Sequence, residues 1–172
     1  MMRLLKIFSR KSICKNVKSL IDKEYPKLKR IYDSISKNSI EVSVGICRLD
    51  DGSFRLTKKK IFWDSGTFIP RCENGELAGV VHTHPSILHF SPEDYETAIE
   101  NDLDFMCVIA RDGKKLKMKC VRIPERGSEK WEDLVEKVEE FKEMSMETDD
   151  LEALINKSKE IENNLESCTI TL

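Results

Sequence analysis

The sequence predicts a single α/β domain in which helices flank a mixed, curved β-sheet. Its 172 residues are enough for one domain with a hydrophobic core and little more. Helical and strand patterns follow one another along the chain in the order helix, strands, helix, strands, helices. A hydrophobic content of 40% beside a charged content of 35% is typical of a well-solvated globular protein.

The first two predicted helices frame the predicted sheet. Apolar residues recur every three or four positions over 13–36, with Ser12 as the N-cap and with Pro26 expected to kink the helix or split it in two. A second helix is predicted over 91–102. The predicted strands are apolar or β-branched runs between turn signals, and they cover 40–48, the segment from Phe54, 61–70, 77–84, 104–110 and 116–123.

The tail of the chain predicts two acidic helices. Their pattern is interrupted at 148–150, where Asp149 and Glu152 resemble a capping box. We therefore expect a main domain over 1–127, including the N-terminal helix, and a helical extension over 128–172. These helices are expected to close the core or to present a groove for a homodimer or another protein partner.

The N-terminus and the lengths of the apolar stretches indicate where in the cell the protein is expected. No apolar run approaches the roughly 20 residues that a membrane span requires, so no membrane association is expected. Residues 1–8 lack the apolar h-region and the cleavage site of a secretory signal. Their basic amphipathic character also suits a transit peptide or a membrane-surface helix, but a first helix packed on the domain is favoured.

The cysteines predict reduced thiols and a cytoplasmic protein. Six of them lie at positions 14, 47, 72, 107, 120 and 168, without a Cys-x-x-Cys pair, which gives no thiolate zinc knuckle. Cys47, Cys107 and Cys120 lie in apolar runs, where cysteine usually acts as a small buried hydrophobe. Without a secretory signal, the cytoplasm is the expected compartment.

Charge is distributed unevenly along the chain. The net charge is +8 over 1–40, −1 over 41–127 and −9 over 128–172, which together make the overall −2. A basic arm of this kind is able to bind nucleic acid. No aromatic residues interleave with the basic ones as a base-stacking surface requires, so we expect solvated or mutually paired ends, and nucleic-acid binding is unlikely.

All three histidines of the chain fall within eight residues, at His82, His84 and His89. His82 and His84 end a predicted strand with one residue between them, so their side chains project to the same side. Two imidazoles placed in this way are each able to reach one zinc ion at roughly 2.0–2.1 Å. Pro85 stops the strand, since it cannot donate to the ladder.

A catalytic zinc needs a third protein ligand and one open position for water. Asp94, at the start of the next helix, is the favoured third ligand, and His89 is the alternative. The segment from Ser91 to Asp94 also has a purely structural interpretation, with Ser91 as N-cap, Pro92 at the first helical position and Asp94 completing a capping box. Both interpretations hold together if the helix start positions Ser91 and Asp94 near the metal.

The pattern His82-Thr83-His84-Pro85 followed by Ser91-x-x-Asp94 resembles the JAMM motif of the MPN-domain zinc metalloproteases. The resemblance covers roughly 13–123. The family has an essential glutamate on an earlier strand, and Glu41 lies in the matching place, with Glu76 a poorer substitute. The chain has nine residues between His84 and Asp94, one fewer than the family usually has.

The resemblance implies an MPN fold, related in shape to cytidine deaminases, with one Zn²⁺ held by His82, His84 and Asp94. The implied activity is hydrolysis of a peptide or isopeptide bond by a metal-activated water, at the C-terminus of a ubiquitin-like protein or its conjugates. Glu41 is the implied general base and Ser91 the implied oxyanion donor.

Other functions are compatible with parts of the sequence. The main alternative is a catalytically inactive MPN-type scaffold or interaction module, although such domains generally lack the histidines or the aspartate. An amidohydrolase barrel also uses His-x-His, but it needs roughly 250 residues. A zinc deaminase would need His-x-Glu and Pro-Cys-x-x-Cys, and neither occurs here.

Overall fold

The computed structural model describes residues 12–38, 42–57, 60–61, 70–84 and 87–172. They form a mixed α/β fold with four helices and a curled mixed sheet, which confirms the predicted fold class at that level. The helices are α1 (Ile13–Asn38), α2 (Pro92–Glu100), α3 (Glu129–Glu147) and α4 (Leu151–Asn163). The strands are β1 (Val42–Arg48), β2 (Phe54–Leu56), β3 (Lys60–Ile61), β4 (Glu76–Thr83), β5 (Phe105–Asp112), β6 (Lys115–Arg122) and β7 (Ser167–Thr171).

The strands lie side by side in the order β2-β1-β4-β5-β6-β7, and β3 also pairs with β1. Among these pairs, β4 and β5 are parallel and the others are antiparallel. Helix α2 makes the crossover that the parallel pair requires. Gly79 is needed at this pair, because a Cβ on it would lie 2.6 Å from the carbonyl oxygen of Phe105.

Helices cover both faces of the sheet. The apolar side of α1 packs on one face through Val17, Leu20, Leu28 and Ile31, which are almost fully buried. Helices α2, α3 and α4 pack on the other face, around Val80, Val108 and Val121 of the sheet. Each face thereby has its own buried apolar cluster, and the candidate site lies on the face of α2.

The helix boundaries agree with the sequence in most respects. The Ser12 hydroxyl accepts from the Lys15 amide, so the predicted N-cap of α1 is confirmed. The helix continues through Pro26, so of the two predicted outcomes, a kink or a split into two helices, the split is wrong. Asp150, rather than Asp149, caps α4, because its carboxylate accepts from the amides of Glu152 and Ala153. No helix in the described part of the chain is long and apolar enough to cross a membrane.

The tail contributes a strand that the sequence analysis missed. Strand β7 pairs with β6 over five residues, from Val121 opposite Ser167 to Lys117 opposite Thr171. It stands at the edge of the sheet, and the partner strand supplies the stability that five residues lack by themselves. The predicted strand over 61–70 lies almost wholly outside the described residues.

All six cysteines are paired, so the expectation of free thiols was wrong. The disulfides join Cys14 to Cys168, Cys47 to Cys72 and Cys107 to Cys120. The sheet register accounts for one pair, since Cys107 and Cys120 are partners on β5 and β6, whereas Cys168 lies opposite Cys120 on β7 but is bonded to Cys14 of α1. Pairs separated by 154, 25 and 13 residues leave no short motif in the sequence.

Candidate functional site

The end of β4 directs both histidines of the His-x-His pair toward α2. His82 is paired in register with Ser43 on one side and with Val108 on the other. The intervening Thr83 exchanges hydrogen bonds with the backbone of Val42, at 2.8 and 3.1 Å. His84 follows the strand, and its amide still donates to the Ile109 carbonyl at 2.9 Å, which holds it at the sheet.

The start of α2 places Asp94 by a capping box. The Ser91 hydroxyl oxygen accepts from the Asp94 amide at 3.2 Å, and the Asp94 carboxylate accepts from the Ser91 amide at 2.9 Å. Pro92 occupies the first turn, where its missing amide hydrogen costs nothing. The predicted structural role of this segment is therefore confirmed, and the box fixes the orientation of the Asp94 side chain.

Both imidazoles meet this one carboxylate. The Nε2 atom of His82 lies 3.7 Å from Oδ1 of Asp94, and the Nε2 atom of His84 lies 3.5 Å from Oδ2. The three side chains are 20%, 12% and 12% exposed, respectively for His82, His84 and Asp94. Two nitrogen donors and one carboxylate thus converge at a partly shielded position next to Ser91.

The surroundings of Asp94 keep it ionised. Burial raises its pKa, but the hydrogen bond from His84, the charges of His82 and His84 and the Ser91 amide outweigh burial and lower the pKa to about 2. A carboxylate that stays charged over the physiological pH range is suited to hold a cation.

A backbone contact selects the tautomer of His84. Its Nδ1 atom lies 3.1 Å from the carbonyl oxygen of Ile87, and a carbonyl only accepts, so Nδ1 carries a hydrogen. In the neutral ring, Nε2 then carries the lone pair, and in the protonated ring it carries the hydrogen that the Asp94 carboxylate accepts. Two acceptors facing one another need a proton or a metal cation between them.

Two residues of the predicted site lie outside the described residues, namely Glu41 and Pro85. Ser43, two positions after Glu41, is 1% exposed, and its hydroxyl has no hydrogen-bond partner among the described residues. In the same part of the chain, no group of three or more His, Cys, Asp or Glu side chains is arranged as a ready metal site.

His89, the alternative third ligand, lies in a different cluster. Its Nδ1 atom is 3.1 Å from Nζ of Lys119 and 3.4 Å from Oε1 of Glu162. The same nitrogen thus faces a donor, the Lys119 ammonium, and an acceptor, the Glu162 carboxylate, and its role depends on the protonation of the ring. Asp94, by contrast, lies beside both rings of the His-x-His pair, which favours Asp94 over His89 as the third ligand.

The partners of His89 form a buried ion pair that the sequence analysis did not single out. Lys119 Nζ donates to Glu162 Oε2 at 2.8 Å, and the side chains are 11% and 9% exposed. Burial raises the pKa of Glu162, but hydrogen bonds from His89 and Lys119 outweigh it, so the pKa is lowered. Ser158 adds a bond from its hydroxyl to the Phe90 carbonyl at 2.8 Å. The pair ties α4 to β6 and to the loop before Ser91.

The ion pair and the histidine pair lie on the same face of the sheet. His82, Val108 and Lys119 are successive register partners on β4, β5 and β6. Side chains in such a row project to one side, so only Val108 separates the two polar groups along the sheet. A Lys at an interior sheet position followed by a Glu in an acidic helix is too common a pattern to have revealed this contact.

A groove of about 300 Å³ adjoins the convergent side chains. His84, Ser91 and Asp94 line one end of it, and residues of α3 and α4, among them Phe141 and Leu154, line the other. The acidic helices therefore form a wall beside the candidate site.

Comparisons with known proteins give no relative for this chain: no protein-family model, no curated protein and no solved structure matches it.

Proposed function

We propose that the chain is a zinc-dependent hydrolase of the MPN type that cleaves a peptide or isopeptide bond. The observation that supports this function best is the approach of His82 and His84 to opposite oxygens of Asp94, at 3.7 and 3.5 Å. Two imidazoles and a carboxylate are a common protein ligand set for catalytic zinc, which keeps its fourth position for water.

The donors are compatible with one ion per chain. Two ligands at roughly 2.0–2.1 Å from a tetrahedral ion are about 3.3 Å apart, and the two contacts of Asp94, at 3.7 and 3.5 Å, are somewhat longer than this separation. The contact with the Ile87 carbonyl orients His84 with its Nε2 atom toward Asp94. An outer partner of this kind is usual for a metal-ligating histidine.

Each residue of the proposed site has a defined role. Zinc, when bound, supplies Lewis acidity and lowers the pKa of a coordinated water to about 7. Glu41 takes a proton from the attacking water and passes it to the leaving amine as the carbon–nitrogen bond breaks. The Ser91 oxygen accepts from the Asp94 amide, so its own hydrogen is available to the carbonyl oxygen of the substrate.

By resemblance, the proposed substrate is the C-terminus of a ubiquitin-like protein or a conjugate of one. The test uses the full chain, purified with zinc, and a ubiquitin-like protein fused at its C-terminus to a reporter. We expect cleavage that a chelator abolishes and zinc restores, and Glu41→Gln is expected to bind zinc without turnover. A protein that folds but neither binds zinc nor cleaves would be an inactive scaffold.

The cytoplasmic location expected from the sequence remains a proposal. Disulfides are rare in the cytosol of most organisms and frequent in intracellular proteins of hyperthermophiles. Three disulfides are therefore compatible with a cytoplasmic location in a hyperthermophilic host and otherwise favour an oxidising compartment.

A further inference from the structure

Four of the six cysteines lie next to one another on the α1 side of the sheet. Cys107, Cys120 and Cys168 are successive register partners on β5, β6 and β7, and Cys14 of α1 is bonded to the last of them. Cys107 and Cys120 are fully buried in the apolar cluster beneath α1, Cys168 is 5% exposed, and Cys14 is partly exposed. We call these four residues the cysteine row. Within it, Cys120 lies between two cysteines, although it is bonded to Cys107 alone.

The pairing of β6 with β7 brings Cys120 and Cys168 within the range of a disulfide. The Cα atoms of Cys107 and Cys120 are 4.1 Å apart, a spacing typical of an antiparallel pair without mutual backbone hydrogen bonds. The backbone of Cys120 is therefore directed at β7, as is that of Arg122, whose amide donates to the Glu166 carbonyl. Cys120 and Cys168 then form a hydrogen-bonded pair with Cα atoms about 5.5 Å apart. Disulfides span Cα separations of roughly 4.4–6.8 Å, so this alternative bond fits the sheet.

The third disulfide stands apart from the cysteine row. Cys47 on β1 is paired in register with Arg55 on β2 and with Leu77 on β4, and its bond leads to Cys72 ahead of β4. Neither of these strand neighbours carries a thiol. The bond between Cys47 and Cys72 is therefore an internal reference, which stays intact when the cysteine row exchanges partners.

We propose that the cysteine row is a thiol–disulfide exchange site whose substrate is a dithiol. A thiolate of the dithiol attacks Sγ of Cys14, the partly exposed member, and expels the Cys168 thiolate. Cys168 then attacks Sγ of Cys120, forms the Cys120–Cys168 bond and expels Cys107, which takes up a proton. The second thiol of the substrate displaces Cys14 from the mixed disulfide, so the substrate leaves as its own disulfide and Cys14 is protonated.

The exchange transfers two electrons and moves a covalent crosslink. The dithiol is oxidised, two protein disulfides become one, and both hydrogens of the dithiol end on Cys14 and Cys107. The crosslink between α1 and β7 is replaced by one between β6 and β7, so α1 is released while the edge strand stays bonded. Buried sulfurs react slowly, but a five-residue edge strand such as β7 opens locally at a lower free energy than the central strands. The exchange is independent of the proposed hydrolysis.

Two variants that lose the same disulfide distinguish this exchange from random scrambling. Cys107→Ala leaves Cys120 free opposite the bonded Cys168, whereas Cys120→Ala leaves Cys107 free one strand farther away. Without reductant, Cys120 in the first variant is expected to displace Cys14, which lies in the first turn of α1, where a helix stabilises a thiolate. Free thiols are labelled with N-ethylmaleimide in denaturant and mapped by mass spectrometry. We expect at least tenfold more label on Cys14 in Cys107→Ala than in Cys120→Ala.

The unmodified full chain, titrated with dithiothreitol, gives the direct test and does not depend on the folding of a variant. The first reduced product should carry label on Cys14 and Cys107, a Cys120–Cys168 linkage and an intact Cys47–Cys72 linkage. Label on Cys14 and Cys168 with the bond between Cys107 and Cys120 retained would overturn the proposal, and so would a cysteine row that stays unreduced. Equal labelling of Cys14 in the two variants, both folded by circular dichroism, would also overturn it.

Discussion

The Nε2 atom of His84 lies 3.5 Å from Oδ2 of Asp94, while Nδ1 of the same ring is held at 3.1 Å by the Ile87 carbonyl. One contact orients the ring, and the other sets Nε2 beside a carboxylate whose pKa is lowered to about 2. The arrangement is that expected of a ligand pair and its outer hydrogen bond.

Replacing His84 and replacing His89 should affect zinc affinity differently. We expect His84→Ala to weaken zinc binding roughly 100-fold or more, because a direct ligand is lost. His89→Ala should retain zinc, because His89 is engaged with Lys119 and Glu162. Competition with a zinc-sensitive dye measures both affinities. Equal losses of zinc affinity in the two variants would indicate that His89 is also a zinc ligand.

Ser91 should have a role beyond its cap. Ser91→Ala is expected to cost about 0.5–2 kcal/mol of stability and also to lower kcat, since the donor to the substrate carbonyl is lost. Ser128→Ala is the matched control, because Ser128 caps α3 with the same 3.2 Å hydrogen bond from a backbone amide. Urea unfolding and cleavage rates are measured on both. Identical cleavage rates in the two variants would show that Ser91 acts only as a capping residue.

The buried pair of Lys119 and Glu162 should contribute strongly to stability only while both partners are present. Lys119→Met is expected to cost about 3–5 kcal/mol, because it leaves an unpaired buried charge. The double variant Lys119→Met/Glu162→Leu should recover most of that loss. Chemical unfolding of the three proteins measures the effect, and a double variant less stable than Lys119→Met would contradict it.

The same pair predicts a pH dependence with a definite sign. The pKa of Glu162 is lowered in the folded protein, so its stabilising contribution is complete above the unfolded-state pKa of about 4.3. The contribution is lost as the pH falls through the folded-state pKa. Glu162→Gln should therefore flatten the acid limb of the stability profile, and an unchanged acid limb would exclude this group as its source.

The disulfides should be detectable in the protein as isolated from its host. Thiol titration after denaturation should give no free thiol without reductant and six with it. The double variant Cys14→Ser/Cys168→Ser is expected to lose about 2–5 kcal/mol of stability, a difference that reductant removes. Six free thiols in protein isolated under thiol-trapping conditions would show that the pairs do not form in the cell.

Local signals predicted the helices and the central strands well. The capping pattern from Ser91 to Asp94 and the β-branched residues of β1 act through neighbours in the chain, so they can be recognised from the sequence alone. Strand β7 and the disulfides depend on long-range pairing, which leaves little local trace. Pro26 was overestimated as a helix breaker because packing of α1 on the sheet outweighs one lost hydrogen bond.

In the candidate site, too, some features could be predicted from the sequence and others could not. The i, i+2 spacing predicted that His82 and His84 would share a side, and the structure brings both rings to Asp94. The contacts of His89 with Lys119 and Glu162 join β6, α4 and the loop before α2, so no sequence window contains them. The groove likewise requires the packing of α3 and α4 beside α2.

Anomalous diffraction at the zinc edge, from crystals of the full chain grown with zinc, tests the central claim most directly. A single peak within about 2.0–2.2 Å of Nε2 of His82, Nε2 of His84 and a carboxylate oxygen of Asp94, with room for a water, is the predicted result. No peak at that position, or a peak at His89 and Glu162 instead, would contradict the account.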